Sequence, residues 1–365
     1  MTTWLYYGWL TASAVFIVLT WLPLSRNTAW WVRVWEFPRL QAAIWGLLLV
    51  VTGVTLPVPS PLLNTAVLLT LSAAIVWHLW WILPYTRWYK REVPDHGDTP
   101  AKASISLLTA NVLTPNRKAP ELISLIKRWK PDLVLTLESD HWWEEQLIGL
   151  QSDYPHTVFH PLDNLYGIHL YSRLPLIDPE VQFLVEPNVP SIHTLIDLGQ
   201  GQQIRAHFLH PAPPSPTENL ESIERDAELL VVAKSVCDYP HPVLIAGDLN
   251  DVAWSATSRL FRKISTLLDP RVGRGLLNTF HAGIPFIRFP LDHIFVSSHF
   301  LVRRLERLPS FGSDHFPIFA ELAVVAPELG GTPEVQADQQ DHVDARTTIE
   351  STDARPDDVH EPKLG

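Results

Sequence analysis

Cysteine is almost missing: Cys237 is the one thiol in 365 residues. That excludes a disulfide framework and any multi-thiolate zinc or iron–sulfur site. Charge is scarce at the front, where residues 1–91 hold six basic side chains and one acid. Three long runs there, Trp4 to Leu24, Leu40 to about Val58 and Leu62 to Leu83, contain no Lys, Arg, Asp or Glu. A basic excess is missing from the rest. Residues 92–325 carry 19 basic and 28 acidic side chains, residues 326–365 carry 3 and 10, and the whole chain is at −11. A middle segment this acidic has no bulk attraction for nucleic acid, although a local basic patch is compatible with it.

What is present is carbon, and much of it comes early. The chain is 46% hydrophobic with 15 Trp, and its mean hydropathy of +0.06 is high for a soluble protein. Each uncharged run is near the ~20 residues that a helix needs to cross a bilayer core. Continuous apolar character there reads as helix, because only helices or closed barrels satisfy their backbone in lipid. Trp4, Trp21, Trp30, Trp31, Trp77, Trp80, Trp81, Trp88 and Tyr89 lie mostly near the ends of the runs, where amphipathic rings favour the headgroup zone. Three transmembrane helices are therefore expected over about 4–24, 40–58 and 62–83, filling residues 1–86. A cleaved signal peptide fits poorly, since no positive charge precedes the first run and two more follow.

The loops set the orientation. Arg26, Arg33 and Arg39 face Glu36 between the first two runs, residues 57–61 are uncharged, and Arg87, Lys90 and Arg91 follow the third. Both basic flanks fall on one side, as three crossings require. The positive-inside bias then puts the amino terminus outside and everything after residue 86 in the cytoplasm. The expected location is the cell inner membrane, as a multi-pass protein with a cytoplasmic catalytic domain.

After a short linker over residues 87–103, with Pro94, Gly97 and Pro100, the pattern alternates. Strands are expected at 105–110, 132–137, 166–172, 192–197, 203–209, 243–246, 291–296 and 316–322. Helices are expected at 120–129 and, with Thr217 as its cap, at about 217–236. Many strands with few helices between them suggest mixed sheets with helices packed outside. The tail from Ala326 has no aromatics and ten acids, so residues 326–365 are expected to be disordered.

Polar groups recur at the expected carboxyl ends of these strands: Asn111 after ISLLTA, Glu138 after DLVLTL, His210 after IRAHFL, and Asp248 with Asn250 after VLIAG. Asp292 in LDHIFVS and Asp314 with His315 in GSDHFPIF complete the series. Any one of them has an ordinary explanation as a turn or cap residue. Six such places together point to phosphoester hydrolysis with a hard cation. Carboxylate, amide and imidazole groups without Cys suit Mg²⁺, with Mn²⁺ as a substitute. A phosphoester is anionic and repels a nucleophile. Catalysis therefore needs a cation on a phosphoryl oxygen, a base for water, and donors for the developing charge.

From about Ser104 to Leu322 the chain resembles the endonuclease/exonuclease/phosphatase superfamily, the DNase I-like fold. The matching segments are LLTANVLTPN, PDLVLTLES, YGIHLYSRLPL, FLHPAPP, VLIAGDLND, LDHIFVSS and GSDHFPI. Hydrophobic spans before the domain look like those of bacterial membrane-anchored members. The resemblance implies a four-layered α/β sandwich over residues 104–325 and Mg²⁺-dependent cleavage of phosphoesters. It implies Glu138 as principal metal ligand, with Asn111 beside it and Asp314 near the same cation. It also implies that Asp292 orients His315, that His210 contacts the phosphate or protonates the leaving oxygen, and that Asp248 positions or deprotonates the attacking water. Asn250 would hold a phosphoryl oxygen, and Arg173 in YSRLP would bind substrate. The choice of base between Asp248 and His315 stays open.

One departure stands out: Asn111-Val112-Leu113-Thr114 lacks the acid that AP-endonuclease-like members carry shortly after the first Asn. The expected activity is thus a membrane-anchored Mg²⁺-dependent phosphoesterase acting on a phosphodiester or phosphomonoester, with a membrane lipid among the possible substrates. A membrane-tethered nuclease and a non-catalytic membrane scaffold are the alternatives.

Overall fold

The computed structural model describes residues 2–56 and 59–363. Four helices come first: α1 (Thr2–Trp21), α2 (Trp30–Arg33), α3 (Arg39–Thr55) and α4 (Pro61–Ile82). Then follow β1 (Ala103–Asn111), α5 (Ala119–Trp129), β2 (Leu133–Leu137), α6 (His141–Leu147), β3 (His156–His160), β4 (Ile168–Ser172), β5 (Leu176–Gln182), β6 (Ser191–Asp197) and β7 (Gln203–Leu209). The chain continues through α7 (Ile223–Val236), β8 (Val243–Asp248), α8 (Ala256–Ser265), β9 (Asp292–Val296), β10 (Phe300–Arg307), β11 (Ile318–Val324) and α9 (Gln339–Glu350).

Among the described residues, two helices are long and apolar enough to cross a membrane, Trp4–Ser25 and Pro61–Tyr85. The expected middle span differs. Its helix, α3, has 17 residues and opens on the buried Arg39. The segment Trp30–Glu36 ahead of it is bent from it by 77°. The expected end of that span, at Val58, lies outside the described residues.

The remaining strands form two mixed sheets, ordered β10-β11-β1-β2-β4-β3 and β5-β6-β7-β8-β9. Ile105, Leu107, Leu135 and Leu170 of the first pack against Ile192, Ile204, Phe208 and Leu244 of the second in one apolar layer. Helices α5 and α6 cover the outer face of the first sheet through Leu122, Ile126, Trp143 and Leu147. Helices α7, α8 and α9 cover the second through Leu229, Val232, Phe261 and Ile349. With both faces covered, β2, β4 and β8 are wholly buried, which is why β2 and β8 read as largely apolar runs, while β4 buries His169 and Ser172 as well.

The acidic tail is ordered, contrary to expectation. Asp338 and Asp341 form a reciprocal capping box at the start of α9, and Lys263 Nζ donates to Asp341 at 2.7 Å. Ala345, Ile349, Ala354 and Val359 are buried in the layer over the second sheet. A few well-spaced apolar residues suffice to order a segment that has a prebuilt surface to lie on. The long central helix also starts later than expected, at Ile223, because the chain before it bonds elsewhere. Trp30 N donates to Leu220 O and Ser222 N to Thr28 O, both at 2.9 Å.

The stretch joining α4 to the sheets is fixed as well. Arg262 Nη2 donates to both Glu92 oxygens at 2.6 and 2.7 Å, and the amides of Asp269 and Glu334 donate to the same carboxylate. Val93 is fully buried, and Tyr85 OH donates to Ala253 O at 2.7 Å.

Candidate active site

Strand direction gathers the polar residues at one edge of the sandwich. Asn111, Glu138, His210 and Asp248 end or follow β1, β2, β7 and β8, and the pairs β1–β2 and β7–β8 are parallel. Asp292, Asp314 and His315 arrive differently, since they open or precede β9 and β11. Those strands run antiparallel to β8 and β1, so their amino ends meet the same edge, with Asp248 facing Asp292.

Asn111 Nδ2 donates to Glu138 Oε1 at 2.7 Å and to Asp248 Oδ2 at 3.1 Å, bridging the two sheets. Its side-chain oxygen Oδ1 accepts from Leu113 N at 3.0 Å. Asn111 thus turns its nitrogen, not its oxygen, toward the acids, and here it positions them. Glu138 sits in the left-handed region at φ 59, with its carbonyl accepting from Thr114 Oγ1 at 2.7 Å. A non-glycine residue in that conformation is sparsely populated and gathers at functional sites. Two glycines permit the close approach around it. A Cβ on Gly167 would lie 1.9 Å from Ser139 O, and one on Gly247, at φ 151, would lie 1.9 Å from Leu209 O.

His315 Nδ1 donates to Asp292 Oδ2 at 2.7 Å, and Nε2 lies 3.5 Å from Asp248 Oδ2. Thr279 Oγ1 accepts from the Asp292 amide, and Ser313 Oγ ties the His315 turn to Asn111 O. One ligating atom from each of Asp248, Asp292 and His315 falls within 4.8 Å of the others. The carboxylate–imidazole bond already accounts for that proximity. A better place for a cation is Glu138, whose second oxygen is buried without a partner. Oxygen donors with one imidazole suit a hard divalent ion.

Burial pushes the Glu138 carboxyl up to about 7, against the Asn111 hydrogen bond that lowers it. Burial would lower the His315 imidazole, but Asp248 and Asp292 outweigh it and push the ring up to about 10. Asp292 is raised by burial. Asp248, equally buried, is held below the usual carboxylate range by His315 and His210. Asp314 is near enough for its charge to raise both Glu138 and His315. His210 is lowered to about 4 by burial; its Nδ1 has no partner and its ring lies 5.3 Å from that of Tyr166. Asn250 donates to Pro211 O at 3.0 Å, which leaves one amide hydrogen unused.

Arg173 is not part of this group. β4 runs antiparallel to β2, so Ser172 pairs with Leu133 at the strand's beginning while Glu138 follows its end. Five residues of strand rise separate the two places by roughly 15 Å. Arg173 instead lies over the Tyr154 ring and donates to Lys130 O. Among the supporting residues, Ser313 and Tyr166 lie inside segments that carried the resemblance. Thr279 and Phe280, whose ring is 5.1 Å from that of His315, had no local signal.

The sequence profile described as the Endonuclease/Exonuclease/phosphatase family matches residues 108–315. No curated protein matches the sequence. Among solved structures, the fold is similar to that of D. rerio TDP2 complexed with single strand DNA product (TM-score 0.51, 16% identity, 60% of this chain and 99% of that one). It is similar too to the human Nocturnin catalytic domain with bound sulfate anion (TM-score 0.51, 18% identity, 64% and 100%). An endonuclease/exonuclease/phosphatase from Beutenbergia cavernae aligns at TM-score 0.50 and 16% identity over 62% of this chain and 73% of its own. At these identities the structures speak for the fold, and the profile for the family. This chain belongs to the endonuclease/exonuclease/phosphatase family of phosphoester hydrolases.

Proposed function

We propose that the protein is a membrane-anchored phosphoesterase that uses Mg²⁺, with Mn²⁺ as a substitute, to hydrolyse a phosphodiester or phosphomonoester. The observation that carries this is the half-buried Glu138, whose second carboxylate oxygen is itself buried. One of its oxygens is held by Asn111 and the other is unpartnered, with Asp248 and the His315–Asp292 pair around it. Glu138 would hold the ion, with Asp314 on the same side. A divalent cation there supplies charge for a phosphoryl oxygen.

The chain's own groups supply the rest. Asp248, kept ionised, orients water and takes its proton. His315, charged between two carboxylates, donates from Nε2 to the phosphoryl oxygen, and Asp292 fixes its ring. His210, neutral and with a free Nδ1, faces the phosphate or the leaving oxygen. Asn250 offers its spare amide hydrogen.

Three crossings of the bilayer are also part of this reading. The end of α1 and the end of α4 both meet the catalytic domain, at Thr28–Ser222 and Tyr85–Ala253. The chain between them must therefore return, and α3, at about 25 Å by helix rise, is the element to do so. The basic residues then fall on the catalytic side, which the positive-inside bias makes cytoplasmic, in a bacterial inner membrane.

The test uses the full-length protein in mild detergent with a bis-aryl phosphodiester and an aryl phosphomonoester. Turnover of either with Mg²⁺, lost on chelation and in Glu138→Gln, is expected. Equal background from wild type and variant on both esters would dismiss the reading.

A further inference from the structure

Hydrolysis by itself calls for nothing inside the bilayer, yet the apolar helices hold a groove. It lies between α1 and α3, has a volume of about 350 Å³, and is lined by Phe16, Leu19, Trp35, Ala42 and Trp45. That is within the roughly 300–1,000 Å³ of small-ligand sites. The lining is carbon except at the end next to the catalytic domain. There Thr20 Oγ1 lies 3.1 Å from His78 Nε2, Arg39 Nη1 lies 3.5 Å from His78 Nδ1, and Gln41 stands at the rim. Ionisable side chains among apolar helices are costly, and they concentrate where a polar group must be served.

From that end, contacts run without a break to the catalytic imidazole. Gln41 Nε2 donates to Phe286 O at 3.0 Å, and the Phe37 ring is 5.6 Å from that of Phe289. Phe289 pairs through its backbone with Phe280, and the Phe280 ring packs against His315. On the same loop Ile284, Phe286 and Ile287 are exposed, Phe286 to 84%. The chain after His210 is bonded to Thr28 and Trp30, through Ser222 and Leu220. The loop packed on His315 and the chain after His210 are thus both tied to the stretch from Thr28 to Gln41. The apolar loop continues the apolar surface of the helices.

We propose that the substrate is a phospholipid of the surrounding bilayer. One acyl chain lies in the α1–α3 groove, its phosphoester reaches the cleft between Glu138 and His315, and Ile284, Phe286 and Ile287 rest on the membrane surface. The proposal rests on the phosphoesterase reading and narrows it. Water adds to phosphorus, one P–O ester bond breaks, and the proton released by water ends on the departing oxygen.

The test compares dipalmitoyl and dibutyryl forms of phosphatidic acid and phosphatidylglycerol, with full-length protein in detergent. Wild type is expected to show at least tenfold higher kcat/KM for the long chains. Ala42→Trp and Leu19→Trp, which fill the groove, are expected to cut that ratio at least fivefold. The ratio is read within one preparation, so loss of folded protein cancels. Should both variants fail to fold, the wild-type ratio decides alone. Equal kcat/KM for long and short chains, a ratio untouched by both variants, or faster turnover of single-stranded DNA than of any lipid would overturn the proposal. Cleavage of the bis-aryl ester with no lipid turnover sinks this inference alone. No turnover of any ester sinks the phosphoesterase reading with it.

Discussion

The His315 imidazole donates Nδ1 to Asp292 at 2.7 Å, which leaves Nε2 directed toward Asp248. A ring held in this way has one orientation, and that orientation depends on the carboxylate. Replacing Asp292 with Asn keeps the volume and removes the acceptor charge. Asp292→Asn is expected to lower kcat by about 10–100-fold, the usual cost of losing such a partner, with KM changed by less than about twofold. Steady-state kinetics on a soluble aryl ester measures this, and an unchanged kcat would remove Asp292 from the machinery.

Glu138 should couple metal to stability. A ligand bound only by the folded state stabilises it by about 2.7 kcal/mol at a hundred times its dissociation constant. Wild type should therefore melt higher with Mg²⁺, and Glu138→Gln should lose that rise. Without metal, the variant should melt no lower than wild type, because it removes the charge of a half-buried carboxylate whose second oxygen is buried and unpaired. Thermal melting with and without chelator reads both effects.

His169 predicts an acid effect on stability. It lies buried between Phe159 and Tyr171 with neither ring nitrogen paired, and burial lowers it from 6.5 to about 3. The unfolded chain takes up the proton first as pH falls. The stabilisation is therefore complete above about pH 6.5 and is lost between there and about 3. From pH 7 to 5 this one group should cost about 2 kcal/mol by linkage. His169→Phe should narrow the difference between melting curves at pH 7 and pH 5. An unaltered difference would mean that the ring is protonated in the folded protein.

The ordered tail gives a third stability test. Ile349 is 6% exposed against α7 and α8, whereas Val343 on the same helix is 52% exposed. Ile349→Ala should cost about 2 kcal/mol, and Val343→Ala less than about 0.5. Equal effects would show that α9 does not pack as described.

How much of this is legible in the sequence depends on whether a residue's neighbours are local. Glu138 and Asp248 could be found because each follows a buried apolar run whose end is visible in the sequence. Arg173 follows a similar run, but its strand points the other way, and direction is a property of the pairing partner. Asp292 and His315 come before their strands yet reach the same edge, again by antiparallel pairing. Asn111 could be singled out, but which amide atom faces Glu138 is decided by Leu113 N. Thr279 and Phe280 lie in a loop without periodicity, and only the folded chain brings them to the imidazole. The tail misled for a related reason: its composition is that of a free chain, and the surface that orders it belongs to α7 and α8.

Glu92 receives hydrogen bonds from three distant stretches of chain, and with Val93 buried beside it the connection from α4 has no slack. The catalytic layers therefore cannot swing on a tether, and in the proposed membrane-anchored enzyme their height over the lipid headgroups would be a constant of the molecule. Encounter with a substrate carried in the membrane plane would then be a two-dimensional search. Its rate would follow the mole fraction of that substrate among its neighbours, so inert lipid would slow the reaction while added buffer would not.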